Sequence, residues 1–268
     1  MSEFIFCEYF VCVGGNMKDL KEILKEEDLF PKNFSCVEER NYGYLFYDEN
    51  NKDSYDSNHA LIFKERICDI SNILEDITEF YNSKQIHPCI YQSINDEKYF
   101  IEQYEAFANH GYTVWEENND FMILCGESTI IPNCDIRIEL TNKWKSEFET
   151  EIFINADEPW ETEVAKKIIE LPNYMFFAAY YKGIPVGMSY CHSENNVCRY
   201  DYILVSKEYR NIGVARTILH YMTEYCRKNN IGSCFQWPAN KTSQTICSEA
   251  GFRFIATIKA GRASYQVE

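Results

Sequence analysis

The residues Arg210-Asn211-Ile212-Gly213-Val214-Ala215 follow an apolar run, Tyr202 to Val205, and lead straight into a helical pattern. A strand that turns through a glycine into a helix aims several unpaired backbone N–H groups, and the positive end of the helix dipole, at one point. That point suits a pyrophosphate. Gly213 lets the backbone approach such a ligand closely, and Ala215 is too small to block it. Arg210 and Arg216 flank the turn, where each serves either as a phosphate contact or as an ordinary surface cation.

A carboxylate stands close by. On an alternating strand Asp201, Ile203 and Val205 share one face, so Asp201 is expected beside whatever the strand end and the loop hold. It could accept a proton from an amine directly or through water, or it could pair with Arg199 or Arg253. Glu161 and Glu163 could line an entrance, and a solvated acidic helix start accounts for them equally well. Trp237 and Tyr190 suit either the core or the wall of a binding site.

The pattern R-x-x-G-x-A at Arg210 to Ala215 resembles the acyl-CoA loop of the GNAT acetyltransferase superfamily, and a second motif follows in that family's order and spacing. Members typically show N-x-x-A-x-x-L-Y-x-x-x-G-F. Here the run Asn240 to Phe252 has that length; Asn240, Ile246, Gly251 and Phe252 match, Ser243 replaces the alanine and Cys247 replaces the tyrosine. The resemblance covers about Ile136 to Phe254 closely and the first half in outline. It implies an N-acetyltransferase that uses acetyl-CoA as acyl donor and passes the acetyl group to a primary amine by direct attack in a ternary complex.

The resemblance also implies roles. Backbone N–H groups of Ile212, Gly213, Val214, Ala215 and Arg216 would hold the pyrophosphate, with Arg210 and Asn211 beside them. Ile203, Leu204 and Val205 would pair with the pantetheine arm as an added strand does, and an N–H near Val205 would polarise the thioester carbonyl. Asn240 would meet the pantetheine, cap the helix that begins near Ser243, or do both. Asp201 would be the base. Cys247 would protonate the leaving thiolate, a task that an ordinary thiol pKa of about 8.5 matches; an inert helix position also accommodates it. The alternative is a noncatalytic acyl-CoA-sensing or partner-binding module, which the loss of the tyrosine would suit.

For these groups to converge, the second half must fold as a mixed α/β unit. The periodicity predicts strands at Ile136 to Leu140, Met175 to Tyr181, Val186 to His192, Arg199 to Val205, Ser233 to Trp237 and Phe252 to Lys259. Helices are expected at Lys143 to Phe153, Glu161 to Glu170, Val214 to Arg227 and Ser243 to Ala250, the third with Val214, Ile218, Tyr221, Met222 and Tyr225 along one stripe. The first half reads as a damaged version. It offers strands at Gly43 to Tyr47, Ala60 to Phe63, Tyr112 to Trp115 and Phe121 to Leu124, and helices at Ile73 to Tyr81 and Lys98 to Asn109.

Glu79, Ile86, Cys89 and Asn95 recur 145 residues later as Glu224, Ile231, Cys234 and Asn240, which indicates an internal duplication. Where the second copy has its glycine loop the first has only Lys64-Glu65-Arg66-Ile67-Cys68-Asp69. The expected architecture is therefore two tandem copies of a mixed, mostly antiparallel sheet flanked by helices. Residues 1–132 form a diverged copy without the loop, and 133–268 the copy that binds acyl-CoA.

Composition sets limits on partners. Of the net charge of −16, all lies in residues 1–132, with 10 Lys+Arg against 26 Asp+Glu, while the remainder is balanced at 16 each. Such a chain should repel a nucleic-acid backbone, and its acidic half suits a cationic acceptor. Met1-Ser2-Glu3 is acidic and no long uncharged apolar run occurs, so a cytoplasmic protein without leader or membrane span is expected. The 12 cysteines contain no C-x-x-C pair and the histidines do not cluster, so neither a metal centre nor a disulfide framework is expected from spacing.

Overall fold

The computed structural model describes residues 20–96 and 98–266; the N-terminal reading at Met1-Ser2-Glu3 lies outside them. The chain runs through α1 (Leu20–Leu29), β1 (Cys36–Arg40), β2 (Gly43–Tyr47), β3 (His59–Ile62), α2 (Ile70–Ser83), β4 (Cys89–Gln92), the short α3 (Tyr99–Glu102) and α4 (Tyr104–Asn109), and β5 (Tyr112–Leu124). It continues with β6 (Ile136–Thr141), α5 (Ser146–Phe148) widening into a π-helical turn (Glu149–Ile154), α6 (Glu161–Ile168), β7 (Tyr174–Tyr181), β8 (Ile184–Glu194), β9 (Val197–Val205), α7 (Val214–Lys228), β10 (Ser233–Gln236), α8 (Lys241–Glu249) and β11 (Phe252–Tyr265). Among the described residues no helix is long and apolar enough to cross a membrane.

All eleven strands of the described residues join one sheet, ordered β1-β2-β3-β4-β11-β5-β10-β9-β8-β7-β6. Only β3–β4 and β9–β10 run parallel, each joined by a crossover helix, α2 or α7. This is the expected mixed, mostly antiparallel sheet in two similar halves. The centre departs from a simple tandem: β5 of the first half lies between β10 and β11 of the second, and β11 lies between β4 and β5 of the first. The two long strands pair with each other from Phe252↔Leu124 to Tyr265↔Tyr112, through a bulge between Phe254 and Ala256.

This exchange obeys the internal repeat. With β4 and β10 aligned at the offset of 145, and β5 and β11 at 140, where Gly111 meets Gly251, the pairs Phe235↔Ile123 and Gln236↔Met122 on one side correspond to Ile90↔Ala263 and Tyr91↔Arg262 on the other. One register thus occurs twice. The predicted strands Tyr112 to Trp115 and Phe121 to Leu124 are one strand, because Glu116 to Asp120 continue the ladder against Gly261 to Thr257.

Apolar layers cover both faces. The α2, α3 and α4 residues Leu74, Ile77, Tyr81, Phe100 and Phe107 pack on β2 to β5, while Ile218, Leu219 and Met222 of α7 pack on the second half. Tyr221, expected on the α7 stripe, is exposed, and Cys226, four residues after Met222, is buried there instead. Ile23 and Leu24 of α1 close over the exchange itself, against Phe121, Phe235 and Val197. The predicted helix Lys143 to Phe153 starts only at Ser146, and Lys98 to Asn109 breaks at Gln103.

Candidate functional site

Gly213 begins α7 with φ +89°, after Asn211 at φ +67°. A Cβ on Gly213 would meet only Asn133, at 3.8 Å, so the left-handed backbone and not crowding requires glycine here. No side chain caps the first turn of α7, which leaves the N–H groups near Val214, Ala215 and Arg216 directed outward. The turn is held from the linker between halves. Asn133 Nδ2 donates to Ile212 O at 2.9 Å, and the Asn133 N–H donates to Thr217 Oγ1 at 3.0 Å.

The strands before and after α7 then splay. Parallel pairing of β9 with β10 ends at Arg199↔Phe235, while β9 continues to Val205. The gap opens into a cleft of about 1100 Å³, lined on one wall by Ile203, Leu204 and Val205, on the other by Trp237 to Ser243, and at the mouth by Arg210, Asn211 and Gly213 to Arg216. Of the positions expected from the loop and strand, Ile212 alone does not line this cleft. A strand-like ligand arm fits such an unpaired edge.

Within the cleft the individual groups divide: Asn240 takes the capping role expected of it, and the others are engaged by protein partners or buried. Asn240 caps α8: its side chain accepts from the Ser243 N–H at 3.0 Å, and Ser243 Oγ accepts the Asn240 N–H at 3.0 Å. Arg216 is engaged by Glu249, Nε to Oε2 at 2.7 Å, and Arg210 donates to Val205 O at 3.2 Å. Cys247 lines the cleft yet is buried in the apolar layer under α7, and burial pushes its thiol up to about 12.

The expected shared face of Asp201, Ile203 and Val205 is broken. β9 bulges opposite Tyr190, pairing Cys191 with Tyr200 and Ser189 with Ile203, so two residues oppose one and alternation slips. Ile203 and Val205 pack with the α7 layer, whereas Tyr202 and Leu204 pack with the layer on the opposite face. Asp201 binds the Arg199 guanidinium and accepts the Tyr202 N–H at 3.0 Å. Its carboxyl is raised by burial, against the lowering effect of Arg199. Arg199 in turn bonds Glu27 of α1, Nε to Oε2 at 2.7 Å, and lies 3.8 Å from the centre of the Phe30 ring. Glu161 is not at an entrance: it is buried, bonded by the Tyr190 hydroxyl, and its carboxyl is raised well above its ordinary value by burial. Glu163 is exposed and pairs with Lys166.

The first half supplies what the motifs could not reveal. Asp28, Asp56 and Glu117, with Glu27 from α1, line the same cleft as Glu158 and Asp201. Asp56 is pushed up to about 6 by burial, with the charge of Asp201 adding to it. Asp28 reaches about 7, again mainly by burial, although its carboxyl accepts from the Ile94 N–H at 2.9 Å and the Ser93 hydroxyl at 2.6 Å. Neither acid lies in a recognisable pattern, so only the charge excess of residues 1–132 pointed toward them.

Residues 138–252 match the family model described as "Acetyltransferase (GNAT) family". No curated protein matches the chain. Among solved structures the fold is similar to a GCN5-related N-acetyltransferase from Kribbella flavida, with TM-score 0.67 at 10% identity over 94% of this chain and 98% of that one. It is also similar to a functionally unknown conserved protein from Staphylococcus epidermidis ATCC 12228, with TM-score 0.62, 12% identity and coverage of 90% and 98%. A tandem GNAT protein from the clavulanic acid biosynthesis pathway aligns with TM-score 0.50, 9% identity and coverage of 74% and 69%. Residues 138–252 thus carry the pattern of the GNAT acetyltransferase family within a chain of GNAT fold, and the two together support acyltransferase activity.

Proposed function

We propose that the protein is an N-acetyltransferase that moves the acetyl group of acetyl-CoA to a primary amine carried on a cationic small molecule or peptide. The observation that carries this reading is a single cleft with two electrostatic parts. The uncapped start of α7 and the basic Arg210–Arg216 turn form one end; Glu27, Asp28, Asp56, Glu117, Glu158 and Asp201 line the remainder in excess over Arg199, which pairs with Glu27 and Asp201, and Arg262, which pairs with Glu117. A pyrophosphate suits the first part and an ammonium the second.

In this reading acetyl-CoA lies along Ile203 to Val205, its pyrophosphate on the N–H groups of Ile212 to Arg216. The amine gives up a proton, its nitrogen attacks the thioester carbonyl carbon, and the C–S bond breaks to release the CoA thiolate. Two carboxylates are candidates for the proton. Asp201 has oxygens committed to Arg199 and to the Tyr202 N–H. Asp56, raised to about 6, is ionised at neutral pH yet basic enough to accept a proton. We assign it the base role and give Asp201 an electrostatic one. Cys247, with its thiol raised to about 12, is a weak acid, so the thiolate leaves to solvent or to a proton drawn from water. Residues 1–132 and 133–268 are read as a supporting copy and a donor-binding copy.

The test is acetyl-CoA titration by calorimetry, followed by a screen of diamines, aminoglycosides and peptide amines for free-thiol release. Saturable binding and turnover that weakens in high salt through a rising acceptor KM are expected, since salt screens the acidic wall. Acetyl-CoA binding with no turnover on any amine would favour a sensing module, and no binding would overturn the reading. The kcat/KM of wild type should rise with pH through about 6 as Asp56 ionises. Asp56→Asn should lose that limb and fall about 10²-fold or more; an unchanged profile would return the base role to Asp201.

A further inference from the structure

Behind the cleft, four cysteines distant in sequence meet in the core. Cys191 of β8, Cys198 of β9 and Cys226 of α7 place their sulfurs within 4.8 Å of one another. Cys234 of β10 sits directly opposite Cys198 in the parallel ladder and belongs to the same buried cluster, its thiol donating to Gly232 O at 3.4 Å. All four are buried, at 0%, 0%, 1% and 3% exposure.

We infer that these residues form a closed, structural site for a thiophilic divalent cation of the zinc class. Three observations support it. First, the sulfurs come from four separate elements, so their convergence is a property of the tertiary fold and not of one hairpin. Second, the sulfurs of Cys191, Cys198 and Cys226, within 4.8 Å of one another, stand near what one ion needs, since a tetrahedral centre with Zn–S of about 2.3 Å holds its sulfurs a little under 4 Å apart; Cys234 is the nearest candidate for the fourth ligand. Third, the hydroxyl of Tyr200, buried in the same apolar cluster as the four cysteines, lacks a hydrogen-bond partner among the described residues. Buried hydroxyls normally find an acceptor. A neutral thiol is a poor one; a metal-bound thiolate is a strong one. Binding would release the thiol protons, fix the sulfurs as thiolates and give Tyr200 its partner.

The donor set selects the ion. Sulfur-only coordination favours soft or borderline cations over magnesium or calcium, and a shell filled by protein sulfur with no route to solvent leaves no open position for catalysis. The ion would tie α7 to β8, β9 and β10. Since α7 carries the Gly213 turn at its other end, the site stiffens the donor-binding element without touching it. Spacing along the chain could not reveal this, because the ligands are separated by 7, 28 and 8 residues in the order 191, 198, 226, 234.

The experiment is performed on the full chain, purified under reductant without chelator and analysed by elemental mass spectrometry. About one zinc per chain is expected. The denatured protein is then refolded with and without Cd²⁺ as probe, because the sulfurs are enclosed once the core forms. A sulfur-to-cadmium charge-transfer band saturating near one ion per chain, and a higher Tm than that of the ion-free refolded protein, are expected. Cys198→Ala and Cys226→Ala should lose the band, whereas Cys36→Ala, at an exposed cysteine, should keep it. Should the core variants not fold, the wild-type refolding arm decides alone. Refolded wild type with no charge-transfer band, or a disulfide recovered between any two of the four, would overturn the site. Loss of the ion with acetyl-CoA binding intact, or the reverse, separates this site from the proposed function.

Discussion

The helices α2 and α7 occupy equivalent places, each crossing between two parallel strands, yet they begin in opposite ways. In α2, Asp69 turns its carboxylate onto the first turn, accepting from the Ser71 N–H at 3.0 Å and the Asn72 N–H at 3.4 Å. In α7, Gly213 holds the same kind of position with no side chain at all. The anion site of the first half is filled by the protein's own anion, whereas that of the second is open to a ligand. In the proposed reading, this one difference in residue type at a helix start separates a supporting half from a binding half.

Four substitutions would break or sharpen this contrast. The largest effect is expected at the joint between halves. Glu27→Ala leaves the buried Arg199 with Asp201 as its remaining carboxylate and removes the acceptor of the Trp237 indole N–H, so urea denaturation should show a loss of about 3 kcal/mol. A loss below about 1 kcal/mol would mean that the two halves hold together without this contact. Next, Gly213→Glu places a side chain in a left-handed position, costing about 1–2 kcal/mol, and sets a negative charge at the cradle. Acetyl-CoA affinity by calorimetry should fall by about two orders of magnitude, about 2.7 kcal/mol.

The mirror experiment, Asp69→Ala, should cost about 1 kcal/mol of stability and leave acetyl-CoA affinity unchanged. A second binding event in that variant would show that Asp69 alone had closed the first half. The smallest effect concerns Asp28, whose folded carboxyl titrates at about 7 and whose unfolded one titrates near 3.9. The folded state holds the extra proton between those values, so this contribution is complete at low pH and is lost as pH rises toward 7. Thermal melts should show that decline in the wild type and a flatter profile in Asp28→Asn.

The parts of the molecule written in local pattern were legible. The turn at Gly213, the cap at Asn240 and the strands Gly43 to Tyr47 and Ser233 onward follow from residue type and period, and the structure has them within a residue or two. What escaped was set by long-range choice of partner. Nothing near Tyr112 or Phe252 says that β5 and β11 cross into each other's halves, because alternation defines a strand but not its neighbour. The bulge opposite Tyr190 has no local signature either, yet it moved Asp201 away from Ile203. Asp56 and Asp28 were invisible for a third reason: their carboxylates matter through burial in a cleft shared by both halves.

The crossing of β5 and β11 also bears on how the chain is made. Strand β4 pairs along Cys89 to Tyr91 with Arg262 to Ser264, so while the ribosome is still adding the second half, that edge of the first has no neighbour. An open sheet edge is a template for wrong pairing. Growth of this protein is therefore a race in which the first half must wait, incomplete, for a strand from the far end of the sequence, and dependence on chaperones during synthesis should exceed that of a chain whose halves close one after the other.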